Sequence, residues 1–256
     1  MPSEKQTYLN GGRENQIIRI GHKVHRPSGS WTGLVHEFLL YLRSSGFSSA
    51  SLPFGLDDQG REILSFIEGE VSNYPLSSNA ASIQALISAA KLLRSYHDAS
   101  QSFLAGLSPE KHTWQFPARN PQEVICHGDF APYNVVLEGE RAIGMIDFDT
   151  CHPGPRAWDI AYALYRWAPF TNPNNKDGFG SIEAQVKRAR LFCDAYGLSN
   201  QEMMGLPNLI IERLKVLINF MLKSDLNIKE GHHLIYLADV EYIREHSSFI
   251  EKELAI

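Results

Sequence analysis

The hydrophobic pattern changes period partway along the chain, and this change limits the folds open to it more than any other feature. Up to about residue 70 the apolar residues fall in short runs broken by turn formers. "QIIRI" (16–20) and "KVHRP" (23–27) read as strands joined through Gly21-His22, with a proline ending the second. "GLVHEFLLYLRSSG" then takes helical spacing: Leu34, Phe38 and Leu42 share a face, and Gly46 is placed to stop the helix. "PFGLDDQGREILSFIEGE" supplies two more strands around the turn Asp57-Asp58-Gln59-Gly60. With "QTYLN" as the first strand, the order is β-β-β-α-β-β. A polar stretch at 72–80 marks a boundary, and a helix over 82–99 follows it. "SPEKHTWQFPARNPQ" is loop-like, "EVICHG" is a short strand, and "NVVLEGERAIGMIDFD" is a hairpin turning at Glu138-Gly139-Glu140. From about residue 157 the spacing is helical, with helices near 157–168, 181–196, 206–225 and 230–254. The pattern predicts an α+β fold: a β-rich part over 1–71 and a larger, mostly helical part over 72–256.

Composition narrows the function classes. The formal net charge is -5 and no basic cluster appears, which argues against nucleic acid as partner. No apolar run approaches the roughly 20 residues of a membrane span. Cys126, Cys151 and Cys193 are odd in number, lie far apart and have no metal-ligand spacing, and "MPSEKQTYLN" has no apolar core of signal-peptide type. These features lead us to expect a cytoplasmic protein without disulfides.

The chemistry concentrates in "HGDFAPYN" (127–134) and "GMIDFD" (144–149). Taken singly, such Asp and Asn residues serve turns for backbone reasons. Together they form a set. Asn134 opens the first strand of the hairpin and Asp147 closes the second, so both side chains reach one point. An amide carbonyl and a carboxylate are hard oxygen donors suited to Mg²⁺, which uses few protein groups. Asp129, five residues before Asn134, is placed to orient a hydroxyl in phosphoryl transfer. Cys126 beside His127 does not make a nucleophile pair, because adjacent strand residues point to opposite faces.

The spacing H-x-D-x-x-x-x-N, followed after a hairpin by Asp-Phe, is similar to the protein-kinase catalytic loop and its metal-binding Asp. With Gly128 in second place and "WDIA" following "IDFD", the chain more specifically resembles the aminoglycoside phosphotransferase family, small-molecule kinases of protein-kinase-like fold. The resemblance spans nearly the whole sequence. It implies a two-lobe molecule: a small antiparallel sheet with one helix, then a larger helical lobe. It implies that Asp129 is the catalytic base, that Asn134 and Asp147 bind Mg²⁺, and that His127 and Asp159 support the loop. In the smaller lobe it assigns Arg26, paired with the helix residue Glu37, to the nucleotide phosphates. Arg26 replaces the protein-kinase lysine; it keeps the charge and can bind phosphate bidentately. The resemblance also places Gly11 and Gly12 at the phosphate loop, and Phe66 and Ile67 at the hinge whose backbone meets the base of ATP or GTP. The partners implied are a nucleoside triphosphate and a small hydroxyl acceptor. The rival readings are a non-catalytic nucleotide- or toxin-binding protein of the same fold, such as a pseudokinase or an immunity protein, and a protein kinase. Gly128 and the nine-step passage from Asp149 to Trp158, too short for an activation loop, argue against the last.

Overall fold

The computed structural model describes residues 6–9, 16–106, 113–223 and 231–255. The first part is a sheet of five antiparallel strands: β1 (Gln6–Tyr8), β2 (Ile18–Ile20), β3 (Lys23–Arg26), β4 (Pro53–Leu56) and β5 (Glu62–Ser65), in the order β1-β2-β3-β5-β4. The register of β3 on β5 sets Arg26 directly opposite Glu62. Between β3 and β4 runs α1 (Thr32–Ser44), which buries Leu34, Val35, Phe38, Leu39 and Leu42 on its apolar face. It stops as expected: Gly46 takes a φ of +92°, and the Phe47 N–H returns to the Leu42 carbonyl. In the β4–β5 turn, Asp57 Oδ1 accepts from the N–H groups of Gln59 and Arg61.

The link out of the sheet joins the second part through backbone bonds. The Phe66 N–H donates to the His22 carbonyl, and Glu70 and Leu137 exchange both of their backbone bonds. After the short α2 (Ser78–Ala81) comes α3 (Ile83–Gly106), which runs beyond the expected end at residue 99. Then follow β6 (Val124–Cys126), the hairpin of β7 (Val135–Glu138) and β8 (Arg141–Met145), and β9 (His152–Gly154). The pairing of β9 with β6 is not expected from the sequence, because "HPG" has none of the residues that favour strands. The helices α4 (Arg156–Trp167), α5 (Ile182–Tyr196), α6 (Asn200–Met203), α7 (Leu206–Lys223) and α8 (His232–Leu254) complete the chain. No described helix is long and apolar enough to cross a membrane. All three cysteines are buried and free.

One aromatic column ties the two parts together. Phe38 on α1 meets Tyr96 on α3 with ring centroids 6.0 Å apart, and Tyr96 meets Phe148 at 5.9 Å. Phe148 packs on His127 at 4.9 Å. The polar stretch recognised in the sequence therefore rests on the core, and its surroundings are held by packing.

Candidate active site

The loop that carries Asp129 hangs from one buried carboxylate. Asp159 lies in the first turn of α4, fully buried. Its oxygens accept from the backbone N–H groups of His127 at 2.6 Å and Gly128 at 2.9 Å, and from His97 Nε2 at 3.0 Å. Burial alone would raise its pKa; the His97 bond, the nearby His127 and the loop N–H outweigh this and bring it down to about 2. His127 donates from Nε2 to the Ile146 carbonyl at 3.0 Å and accepts the Asp129 N–H on Nδ1 at 3.3 Å, which fixes its tautomer. Gly128 has a φ of +81°, and a Cβ there would lie 2.5 Å from the Thr150 carbonyl oxygen. Only glycine fits that approach.

Asp129 and Asn134 are joined directly. Asn134 Nδ2 donates to the Asp129 carbonyl at 3.0 Å and to Asp129 Oδ2 at 2.9 Å. The Tyr133 hydroxyl donates to Asp129 Oδ1 at 2.7 Å, and lies 3.0 Å from the Tyr162 hydroxyl. Burial pushes the Asp129 carboxyl above its ordinary range, and the Tyr133 bond opposes this. Because the Asn134 amide spends its N–H groups on Asp129, its oxygen is the end suited to a cation. The Ile146 N–H donates to the Asn134 carbonyl at 3.0 Å, which brings the Asp147 backbone alongside. Asp147 is the one described non-glycine residue with positive φ (63°).

Across from these groups, the Arg26 guanidinium makes three ion pairs: Nε with Glu62 at 2.6 Å, Nη1 with Asp147 at 2.6 Å and Nη2 with Asp149 at 2.7 Å. Burial would lower its pKa, but the three carboxylates more than reverse this and raise it. Glu37 is not part of the cluster. It is exposed on α1, one residue beyond the buried face, and Glu62 takes the role expected of it because it lies opposite Arg26 in the sheet. The helix still reaches the cluster through His36, whose Nε2 lies 3.0 Å from Glu62 Oε2. Gly11 and Gly12 lie outside the described residues. Phe66 and Ile67 sit where the sheet passes to the second part, partly buried, with the Arg19 guanidinium 3.7 Å above the Phe66 ring.

Four contributors carry too little sequence signal to be assigned from the chain alone: Glu62, Tyr133, His36 and Asp149. By its neighbours Asp149 is as good a turn former as a ligand, yet it is buried and paired with Arg26. Cross-strand register is the signal that points to Glu62; Tyr133, one place before Asn134, has none of its own. Among the described residues no group of three or more His, Cys, Asp or Glu could hold a metal. The donor set of the expected site is smaller: one amide oxygen and the half-exposed Asp147 carboxylate. Those hard donors fit Mg²⁺, which fills its remaining positions with water and phosphate oxygens.

The sequence profile of the phosphotransferase enzyme family matches residues 104–180. The trifolitoxin immunity protein of Rhizobium leguminosarum bv. trifolii is 34% identical over 212 residues, covering 79% of this chain and 78% of that protein. Among solved structures, a spectinomycin phosphotransferase in complex with ADP and spectinomycin superposes with a TM-score of 0.58 at 15% identity, covering 98% of this chain and 92% of that one. An ethanolamine kinase of Plasmodium vivax gives 0.64 at 15% identity, covering 98% and 83%. At these identities the structural likeness speaks to the fold alone.

Proposed function

Because the chain belongs to the phosphotransferase enzyme family, the small-molecule kinases of protein-kinase-like fold, we propose that it moves the γ-phosphoryl of ATP or GTP to a hydroxyl of a small molecule. The observation that carries this reading is the bond between Asn134 Nδ2 and Asp129 Oδ2, which sets a carboxylate base beside a hard-oxygen donor. Asp129 accepts the proton of the acceptor hydroxyl as that oxygen bonds to the γ-phosphorus. The bond from the γ-phosphorus to the β–γ bridging oxygen breaks, and the nucleoside diphosphate leaves. Asn134 and Asp147 would hold Mg²⁺, whose charge offsets that on the phosphates. Arg26 turns a guanidinium edge to the nucleotide phosphates, with Glu62 fixing its Nε side. Catalysis of this kind is mostly positioning and charge stabilisation. The acceptor meets the C-terminal helices and the loops over 113–122 and 168–181.

The relatedness to an immunity protein favours a second reading, a non-catalytic nucleotide- or toxin-binding protein of the same fold. One experiment separates the two: nucleotide turnover with a panel of hydroxyl compounds, comparing wild type with Asp129→Ala. The kinase reading expects turnover to fall on the order of 10²–10⁴-fold in the variant, as for loss of a general base. Equal turnover in both proteins would remove Asp129 as base. Mg²⁺-dependent nucleotide binding with no turnover across the panel would favour the binding protein.

A further inference from the structure

Behind the loop that carries Asp129 lies a small pocket, with a volume of about 40 Å³ and partly open to solvent, that the proposed reaction does not use. Its inner end is the backbone at Gly128 and Thr150, and two arginines reach it from different directions. Arg213, on α7, donates from Nη2 to the Gly128 carbonyl at 2.5 Å. Its Nε is buried and has no hydrogen-bond partner among the described residues. Arg119 lies flat on the Trp158 ring, 3.5 Å from the centroid, and Arg213 stands 4.6 Å from the Tyr162 ring. A guanidinium stacked through its face keeps its N–H groups pointing outward in its own plane, where an oxyanion accepts them. Glu212 meets Arg119 at 3.4 Å on the exposed side, and among the described residues no carboxylate lines the pocket.

The remaining walls are apolar and largely aromatic. Phe116, Trp158 and Val216 face the cavity, and the His152 ring packs 6.1 Å from Phe116. His152 Nδ1 donates to the Thr150 carbonyl at 2.8 Å, and burial lowers its pKa, so it serves as a neutral ring in this wall. The cavity thus sets two guanidinium groups, one with its buried Nε unpartnered among the described residues, against flat apolar sides, a polar-and-apolar make-up found in small-ligand sites. We propose that it binds a small carboxylate with a flat apolar body, the carboxylate meeting Arg213 and Arg119 and the body lying against Phe116, Trp158 and Val216.

The test is titration calorimetry on the full chain with benzoate as probe, with acetate and inorganic phosphate as comparison arms. The expected result is saturable one-site benzoate binding, at least tenfold tighter than that of either comparison anion. It should weaken at least tenfold in Arg213→Met and in Val216→Trp, and stay unchanged in Asp129→Asn. Val216→Trp fills the cavity without touching a polar group, so it decides the matter if Arg213→Met does not fold. Absence of saturable benzoate binding overturns the proposal. So does binding that neither variant alters, or acetate or phosphate binding as tightly as benzoate. Since Asp129 takes no part in this binding, the outcome is independent of the turnover experiment on the base.

Discussion

Asp129 has to be ionised to accept a proton, and its surroundings pull its pKa in two directions. Burial raises it, and the Tyr133 hydroxyl 2.7 Å from Oδ1 holds it down. The acid limb of a kcat/KM profile is therefore expected above the ordinary carboxylate range. In Tyr133→Phe the opposing bond is gone, the charged form loses a donor, and the limb moves to higher pH. Activity then falls most at acidic pH and least on the alkaline side. A limb that stays in place or moves to lower pH would show that Tyr133 does not tune the base. His127, Asp129, Asn134 and Asp147 are legible in the chain because their spacing is fixed by a short loop and one hairpin. Glu62 and Asp149 are not. Glu62 needs the register of β3 on β5, and Asp149 resembles any turn Asp until Arg26 is placed beside it.

Two N–H groups of the loop are held by a single helix end. Asp159 satisfies two loop N–H groups and His97 at once, and nothing else in the described structure accepts those two N–H groups. Asp159→Asn keeps the shape but turns an acceptor into a donor inside the core. Breaking a buried charged network costs ~3 kcal/mol or more, which for a chain of this size lowers Tm by about 6 °C or more. The pH dependence has a definite sign. The folded pKa of about 2 lies below the ordinary carboxylate value, so the stabilisation is complete above roughly pH 4. It is lost as pH falls through the folded value. Thermal melts of wild type and Asp159→Asn should differ fully at neutral pH and converge towards pH 2; a gap that does not change with pH would contradict this role.

Gly128 is the second restraint on the loop. Gly128→Ala forces a side chain into a positive-φ position facing the Thr150 carbonyl, at a cost of ~1–3 kcal/mol. Under the proposed function, turnover is expected to fall more than tenfold while nucleotide affinity, which that reading assigns to Arg26, changes little. A parallel loss of both would point to general unfolding instead. At this scale the sequence is readable wherever periodicity runs long, as in α1 and the late helices. It is not readable at β9, a three-residue strand defined only by its partner β6.

At the scale of the molecule, Arg26 joins the sheet electrostatically to the residues that follow the β7–β8 hairpin. Its guanidinium spans from Glu62 on β5 to Asp147 and Asp149, which lie 121 and 123 residues beyond Arg26 in the chain. In this arrangement it stands in for a cation: one fixed positive charge serves three carboxylates. A metal ion arriving without nucleotide meets an Asp147 already paired with Arg26 and must displace that contact, so Mg²⁺ alone should raise the wild-type Tm very little. Mg²⁺ with ATP should raise it more, because the phosphates give Arg26 a new partner and release Asp147, and a ligand that binds only the native state stabilises it. In Arg26→Met the three carboxylates lose their common partner, and the variant should be less stable in the absence of metal. Mg²⁺ alone should then recover part of the loss, while the extra gain from ATP shrinks because the phosphates have lost their guanidinium. Thermal shifts of both proteins with Mg²⁺, with ATP and with the two together measure every term. If Mg²⁺ alone stabilises wild type as much as Arg26→Met, then Arg26 does not compete with the cation, and its place between the two halves is structural only.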